Sequence, residues 1–257
     1  VIFRNLVEGF KGRTYPINPN AESLFGRKCY ARVSDLPETP DLVVIVIRAS
    51  AVPDVLKECG KIGVKAAIII SGGFREIGNI ELEKKTLQIA RKYGMRILGP
   101  NCIGIYDPYT GLDTIFNPKY KLERPDKGNI AFISQSGAVG TVIIDWMAMK
   151  GYKISRFISY GNAADIDEAD LLEWLAKDRK TKVICCFLEG VREGRRFFES
   201  AKKVSRKKPI VVLKGGITSA GKKAARSHTG SLAGSAEIFS AAMRCLLYTS
   251  PSPRDRG

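Results

Sequence analysis

The sequence predicts an α/β protein made of two units, each built around a buried and mainly parallel sheet. Short apolar runs alternate with longer segments of helical periodicity along the 257 residues. Runs such as 42–47 and 66–70 are continuous and rich in β-branched or small apolar residues, as expected for strands covered on both faces. A polar stretch over 123–129 contains Pro125 and Gly128 and divides this pattern into two cycles. A chain of this length can form two modest domains, each with its own core.

The first cycle begins with residues 1–8, which have the pattern of an amphipathic helix with Ile2 and Leu6 on its apolar face. The predicted strands that follow are 13–18, 42–47, 66–70 and 96–98, and the predicted helices are 52–62 and 81–93. A strand and a glycine loop precede such a first helix in a nucleotide-binding unit. We therefore expect the first unit to lack its first strand and glycine loop.

The second cycle predicts a flavodoxin-like three-layer domain. Its predicted strands are 130–133, 156–159, 183–188 and 209–213, and its predicted helices are 137–149, 168–176, 193–204 and 235–244. The last residues, 245–257, have no periodicity and end in turn formers. We interpret them as a non-native tail that resembles a translated adapter sequence, with a genuine disordered tail as the alternative. The expected domain limits are thus 1–124 and 128–244.

Charge and hydropathy restrict the classes of partner. The formal net charge is +16, from 42 Lys and Arg residues against 26 Asp and Glu residues, which suits nucleic acid or an anionic small ligand. The basic residues are spread along the chain and no helix-turn-helix, zinc-finger or RNA-binding signature occurs, so we expect no nucleic-acid partner. The apolar runs are far too short to cross a bilayer, so we expect no membrane partner either.

The cysteines argue against both a metal site and a disulfide framework. Six cysteines occur without a CxxC pair, and the chain has one histidine, so we expect no metal site. Cys185 and Cys186 lie in an apolar run, where packing in the core is the ordinary role. A reducing cytoplasm is the simplest setting for such a chain.

His228, the single histidine, lies among small polar residues that suit a phosphoryl group. The segment reads Ala224-Ala225-Arg226-Ser227-His228-Thr229-Gly230-Ser231-Leu232-Ala233-Gly234-Ser235. Hydroxyls and exposed backbone N–H groups hold phosphoryl oxygens, and imidazole can act as a nucleophile. The alternative is a polar surface loop that happens to contain a histidine.

Two further segments follow strands of the second unit and are expected at the same sheet edge. Ser134-Gln135-Ser136-Gly137 leads from a strand into a helix, whose first N–H groups form an anion site. Glu189 follows the strand 183–188, and a carboxylate there can orient an imidazole. Each has a plain alternative, a sterically required glycine turn in the first case and a solvated glutamate in the second.

Taken in order, these segments resemble the α part of the nucleoside-diphosphate-forming acyl-CoA synthetases. This family comprises relatives of succinyl-CoA synthetase and includes ADP-forming acetate–CoA ligase. The resemblance covers about residues 1–244. It implies that His228 is phosphorylated in turnover and that Glu189 orients it. It also implies that the migrating phosphate is bound by the turn and the histidine loop, at Ser134, Ser136, Gly137, Ser227 and Thr229.

The resemblance makes the first unit a Rossmann-like CoA-binding domain. The motif over 99–104, Gly-Pro-Asn-Cys-Ile-Gly, is similar to one that the family places near the CoA thiol, and the Ser-Gly-Gly-Phe segment over 71–74 can bring backbone close to a ligand. The predicted CoA contacts are Asn18, Pro19, Ser71, Gly72, Gly73, Asn101 and Cys102. We expect Cys102 to line the site, because no histidine outside the His228 loop could activate its thiol. Asn-Pro and Gly-Gly are also ordinary turn residues, which is the alternative for those segments.

The resemblance further implies a ligase that uses coenzyme A, with ADP or ATP and Mg²⁺ on an ATP-grasp domain. No ATP-grasp region is apparent in this sequence, so it is expected on a β subunit or a fused segment, which predicts a hetero-oligomer. The other substrate would be a small carboxylic acid or its acyl-CoA. The alternative function is a non-catalytic module that binds or senses CoA within an acetyltransferase-like fusion.

Overall fold

A computed structural model of the chain describes residues 1–216 and Phe239. The first part of the chain forms a small α/β unit and a separate two-stranded ribbon. In chain order its elements are α1 (Ile2–Gly9), β1 (Ser23–Leu24), β2 (Arg27–Lys28), β3 (Leu42–Ile45), α2 (Val52–Lys61), β4 (Ala66–Ile69), α3 (Ile80–Lys92) and β5 (Arg96–Leu98). The predicted helices and buried strands are therefore present, with ends displaced by one or two residues.

The sheet of this unit is parallel, in the order β3-β4-β5. Helices α2 and α3 pack together and cover one of its faces, where Leu56, Ile69 and Ile97 are fully buried. Pro53 lies in the first turn of α2, where its missing N–H costs no hydrogen bond. The apolar periodicity of the sequence thus becomes a layer of helices on a buried sheet.

The strand predicted over 13–18 is wrong. The segment makes a single parallel bridge, between Ile17 and Tyr30, and otherwise lacks regular structure. Pro16 and Pro19 have no backbone N–H to donate, so a continuous ladder cannot form there.

The second part of the chain forms a larger α/β unit. Its elements are β6 (Gly104–Asp107), β7 (Leu112–Asp113), β8 (Lys127–Ser134), α4 (Gly137–Met149), β9 (Ile154–Ser159), α5 (Glu168–Lys177), β10 (Val183–Leu188), α6 (Gly194–Ser205) and β11 (Ile210–Lys214). Its six strands lie in the order β11-β10-β8-β9-β6-β7, and the four from β11 to β9 are parallel. Of the helix predicted over 235–244, only Phe239 belongs to the described residues.

Side chains that alternate along β8 divide the second unit into three layers. Ala131 and Ile133 face the layer formed by α5 and α6, whereas Phe132 faces α4. Asp167 caps α5 by accepting hydrogen bonds from two backbone N–H groups of its first turn. This arrangement confirms the predicted α/β class and the three-layer, flavodoxin-like second unit.

Strands β6 and β7 depart from the parallel arrangement that the sequence predicts. They form a hairpin that extends the sheet antiparallel to β9, although both precede the predicted boundary over 123–129. Strand β8 also begins earlier than predicted, at Lys127, and is irregular between Lys127 and Ala131. The hairpin covers the edge of β9 that would otherwise be unpaired. The domain limits 1–124 and 128–244 remain a prediction, and the sheet pairing crosses them.

Candidate functional site

The carboxyl ends of three neighbouring parallel strands meet at one edge of the second sheet. Strand β8 ends at Ser134 opposite Phe187, and Leu188 at the end of β10 lies opposite Lys214 of β11. Three of the segments singled out in the sequence therefore come together: the Ser134–Gly137 turn, Glu189 and the chain that leads toward His228. Ligands of parallel sheets bind at this kind of edge.

The turn after β8 is shaped for an exposed helix start. The Ser136 side chain caps α4 by accepting a hydrogen bond from the Val139 N–H at 3.4 Å. Ser134 is fully buried, and its hydroxyl donates to the Ser136 carbonyl at 2.6 Å. Gly137 packs on Ile103, and a Cβ at this glycine would lie 2.7 Å from the Ile103 side chain. Ser134 thus maintains the shape of the turn, Ser136 is the N-cap of α4 and Gly137 is its first residue.

Gln135 links the turn to the loop after β10. Its side-chain oxygen accepts hydrogen bonds from the Glu189 N–H at 2.8 Å and from the Gly190 N–H at 3.0 Å. Its own backbone N–H donates to the Phe187 carbonyl at 3.1 Å. Since only 7% of the Gln135 surface is exposed, these bonds are shielded from water and fix the backbone that carries Glu189.

Lys214 holds the other side of the same loop. Its ammonium group donates to the Glu189 carbonyl at 2.7 Å and lies 5.7 Å from the centroid of the Phe239 ring. That ring stacks on Phe197 of α6 with centroids 6.3 Å apart. Lys214 therefore lies close to both Phe239 and the Glu189 backbone, two residues before Gly216, where the continuous described segment ends. The predicted residues Ser227, His228 and Thr229 lie outside the described residues.

The predicted CoA segments of the first unit lie at the carboxyl ends of β4 and β5. Gly73 has φ of +109°, and a Cβ at Gly72 would lie 3.2 Å from Glu76 Oε1 and 3.3 Å from Asn101 Oδ1. Glu76 Oε1 accepts hydrogen bonds from the backbone N–H groups of Gly73 and Phe74. Gly72 and Gly73 therefore form a tight loop, here called the glycine cradle, that has no room for side chains at these two positions. Glu76 fixes its shape through the two hydrogen bonds that it accepts.

Asn162, in the loop after β9, connects the two units at this cradle. Its side-chain N–H groups donate to Glu76 at 2.6 Å and to Glu83 at 3.0 Å, and its oxygen accepts from Asn101 at 3.2 Å. Glu83 is 3% exposed and forms an ion pair of 3.0 Å with Arg75. Burial would raise the pKa of the Glu76 carboxyl group, but the hydrogen bonds that this group accepts lower it, and the bond from Asn162 is the largest of these lowering effects. The buried network therefore favours a charged Glu76.

Asn101 and Cys102 have different surroundings although they are neighbours. The Gly99–Pro100 bond is cis, and Asn101 follows it with φ of +56° and its N–H bonded to the Ser71 carbonyl at 2.9 Å. The Cys102 thiol is buried in the core shared by both units and lies 3.4 Å from the Ile69 carbonyl. Burial raises the pKa of this thiol to about 12. The site thus presents Asn101, while Cys102 packs behind it.

Asn18 and Pro19 lie on the surface. Both are exposed, and the Asn18 N–H donates to the Tyr30 carbonyl at 2.9 Å. The Asn18 side chain accepts a hydrogen bond from the Asn20 N–H at 3.0 Å, which closes a local turn. Within the described part of the chain, no hydrogen bond or ion pair joins this turn to the glycine cradle.

Three residues that organise the site were not assigned a role from the sequence: Gln135, Glu76 and Asn162. Gln135 lies between two serines that were predicted to bind phosphate, and Asn162 follows Gly161 in a Gly-Asn turn signal. Such signals indicate a loop but not its partners.

Across residues 1–216 and Phe239, no group of three His, Cys, Asp or Glu side chains could hold a metal ion. No helix in that part of the chain is long and apolar enough to span a membrane.

Comparison with known proteins identifies both units. Residues 1–108 match the family model of a CoA binding domain, and residues 127–246 match that of a succinyl-CoA ligase like flavodoxin domain. The fold is thus a Rossmann-like CoA-binding domain followed by a flavodoxin-like domain, as predicted. The class that the fold and the site define is thus a CoA-binding domain joined to a flavodoxin-like domain of succinyl-CoA ligase type.

Individual proteins that are similar to the chain include ADP-forming acetate–CoA ligases. The chain is 46% identical to the alpha subunit of acetate–CoA ligase [ADP-forming] II of Pyrococcus furiosus, over 95% of this chain and 52% of that subunit. It is 48% identical to acetate–CoA ligase [ADP-forming] of Methanocaldococcus jannaschii, over 95% of this chain and 34% of that protein. A solved structure of the dinucleotide forming acetyl-coenzyme A synthetase 1 of Ca. Korarchaeum cryptofilum, in complex with phosphate and ADP, superposes with a TM-score of 0.90 at 45% identity. That superposition covers 99% of this chain and 55% of the other.

The chain is therefore homologous to the α subunit or α region of the ADP-forming acetate–CoA ligases. It spans about a third to a half of the length of the curated relatives that it matches.

Proposed function

We propose that the chain supplies the CoA-binding and phosphohistidine-bearing part of a nucleoside-diphosphate-forming acyl-CoA synthetase. Phosphate attacks the thioester carbon of an acyl-CoA, which breaks the C–S bond and gives an acyl phosphate and free CoA. His228 then takes the phosphoryl group and releases the carboxylate. Transfer from His228 to a nucleoside diphosphate gives the triphosphate and restores the imidazole.

The observation that carries this proposal is the convergence at one sheet edge. The capped start of α4, the loop of Glu189, Lys214 and Phe239 all meet there, and the last two precede and follow His228 in the sequence. Ser136 and Gly137 offer the migrating phosphate a helix N-terminus, and Ser227 and Thr229 are proposed as further donors. The Glu189 carboxylate would orient the imidazole and stabilise its positive charge.

The first unit fits a CoA site through its glycine cradle. A Cβ at Gly72 or Gly73 would meet Glu76, Asn101 or Ala49, so the backbone there can approach a ligand closely only as glycine. Ser71, Asn101 and the surface turn of Asn18 and Pro19 complete the proposed set, with Cys102 behind it. Bound CoA supplies the thiol that carries the acyl group.

The proposal includes partners that the chain does not contain. An ATP-grasp domain, on a β subunit or on a fused segment, would bind ADP or ATP with Mg²⁺, and a hetero-oligomer follows in the first case. The second substrate is a small carboxylic acid. The five described cysteines are free, which suits a cytoplasmic setting.

Labelling of His228 tests the proposal. The chain, joined to its ATP-grasp region, is incubated with γ-labelled ATP and Mg²⁺, and acid-labile phosphate is measured for the wild type and for His228→Asn. We expect label on the wild type alone, with equal CoA affinity in both proteins as the control for folding. Equal labelling would refute the role of His228. CoA binding by a wild type that takes no label would instead support the rival function, a CoA-sensing module.

A further inference from the structure

A strongly basic surface lies at the edge of the second sheet opposite the candidate site. Segment 177–182, between α5 and β10, has four basic residues and one acidic residue, and segment 202–208, at the end of α6, has five basic residues and no acidic one. The two segments together carry a formal charge of +8, half of the +16 of the whole chain. The fold brings them together, because α5 packs on α6 and β10 pairs with β11.

Between the two segments lies a cavity of about 470 Å³ that is broadly open to solvent. Five cationic side chains and one acidic side chain contribute to its lining: Lys177, Arg179, Lys182, Lys207, Lys208 and Asp178. Pockets that hold small ligands have volumes of roughly 300–1,000 Å³. The cavity is therefore large enough for a nucleotide or a short polyphosphate.

Part of this charge has an ordinary structural role. Helices α5 and α6 both end here, and each C-terminus carries roughly half a negative charge that lysines neutralise. Lys208 does this directly, since its ammonium group donates to the carbonyls of Leu175 at 2.5 Å and Asp178 at 2.6 Å. The Asp178 carboxylate is also engaged, by the Thr181 hydroxyl at 2.8 Å and by Arg156 at 3.8 Å.

The remaining cations exceed what the two helix ends require. Lys177, Arg179, Lys182 and Lys207 have no hydrogen-bonded or ion-paired side-chain partner within residues 1–216 and Phe239. About one unit of negative charge from the two helix ends faces these four side chains. An excess of unpaired cations around a concavity attracts a multiply charged anion, and that attraction weakens as salt is added.

We propose that this cavity binds the polyphosphate group of a small anion, at a site separate from the proposed CoA and phosphohistidine sites. The ligand class is a di- or triphosphate, either inorganic or attached to a nucleoside. Lys182 and Lys207, which project from the two different segments, hold it from both sides. The proposal does not depend on the proposed ligase function.

Titration with tripolyphosphate tests the proposal, with ADP as a second probe for a nucleoside-bound source. The 257-residue chain is titrated calorimetrically at low and at moderate salt, and the double variant Lys182→Gln/Lys207→Gln is compared with it. The matched control is Lys57→Gln/Lys61→Gln, which removes the same charge from the exposed face of α2. Circular dichroism and thermal unfolding establish that all three proteins are folded.

We expect the cavity variant to bind tripolyphosphate on the order of tenfold more weakly, since two charge-assisted contacts are lost, and the control to bind as the wild type does. An equal loss in both variants would show that only the net charge matters, and would overturn the proposal. Unchanged binding by the cavity variant, or no binding by the wild type, would overturn it as well. If ADP binding falls in parallel, the site accepts nucleotides; if only tripolyphosphate binding falls, the site selects the inorganic anion.

Discussion

The side-chain oxygen of Gln135 lies 2.8 Å from the backbone nitrogen of Glu189, a residue 54 positions later in the chain. The same oxygen accepts a hydrogen bond from the Gly190 N–H, so the side-chain amide of Gln135 fixes two consecutive backbone N–H groups. The loop that presents the proposed orienting carboxylate is thereby joined to the turn that presents the proposed phosphate-binding helix. A change at Gln135 should therefore alter phosphoryl transfer without contacting the phosphoryl group.

Gln135→Met should slow phosphorylation of His228 by about tenfold or more, because two buried N–H groups lose their acceptor. Gln135→Glu keeps an acceptor in the same place and should be slowed far less, with a changed pH profile because a second carboxylate lies beside Glu189. Single-turnover labelling measures the rates, and CoA affinity serves as the control for folding. If the Met variant is labelled at the wild-type rate, Gln135 has no role in phosphoryl transfer.

Glu189→Gln should slow phosphorylation while the fold is retained. A neutral amide can still accept a hydrogen bond, but it stabilises a charged imidazolium less well. The loss of a charge-assisted bond is worth about 1.5–3 kcal/mol, which is on the order of 10- to 100-fold in rate if it is fully felt. The labelling rate of this variant, compared with that of Glu193→Gln in the same loop, decides the matter. Equal rates in both variants would make Glu189 a bystander.

Asn162→Asp should destabilise the junction of the two units and weaken CoA binding. The substitution places a third carboxyl group beside Glu76 and Glu83. It also removes the two N–H groups that now donate hydrogen bonds to those carboxylates. Each buried acceptor left unpaired costs about 1–3 kcal/mol. Asn129→Asp makes the same charge change at an exposed position and is the control. Chemical denaturation and CoA titration should separate the two variants, and equal stability would contradict the role of Asn162.

Cys102→Ala should retain phosphorylation to within about twofold. With the pKa of this thiol raised to about 12 by burial, the thiolate is almost absent at neutral pH, so it cannot act as a nucleophile. Native Cys102 should also react with a thiol reagent only after the protein unfolds. Mass spectrometry of the native protein after brief alkylation tests this, with the denatured protein as the positive control. Rapid alkylation at Cys102 would show that the thiol is accessible after all.

Glu168 should make stability fall as pH rises from about 4.5 to about 7. This side chain is 2% exposed, and burial raises its pKa from 4.5 to about 7. Below about 4.5 both the folded and the unfolded chain hold the proton; between these values only the folded chain does, so stability is lost through this window and is constant above it. The loss is about 3 kcal/mol if the shift is fully felt.

The neutral variant Glu168→Gln should abolish this part of the pH dependence, whereas Glu22→Gln, at an exposed position, should keep it. Urea denaturation at pH 5 and pH 8 measures the difference for each protein. A wild-type slope that persists in Glu168→Gln would assign the pH dependence to other groups.

Most of the fold could be predicted because it follows from local periodicity. The helix predicted over 137–149 is α4, Gly137–Met149, and the strand predicted over 183–188 is β10, Val183–Leu188. The errors lie where the signal is short or interrupted. The hairpin of β6 and β7 has strands of four and two residues, and the segment 13–18 contains a proline that removes a ladder donor.

The sequence by itself determined the order of strands and helices, the glycine turns at strand ends and the family, because each depends on residues close together in the chain. Only the tertiary structure decided which side chains fix those turns: Asn162 reaches Glu76 across 86 positions. It also joined two basic segments, one before β10 and one before β11, around a single cavity. Contacts of this kind depend on how sheets pair and helices pack, and a hydrogen bond between distant amides leaves no periodic trace in the sequence.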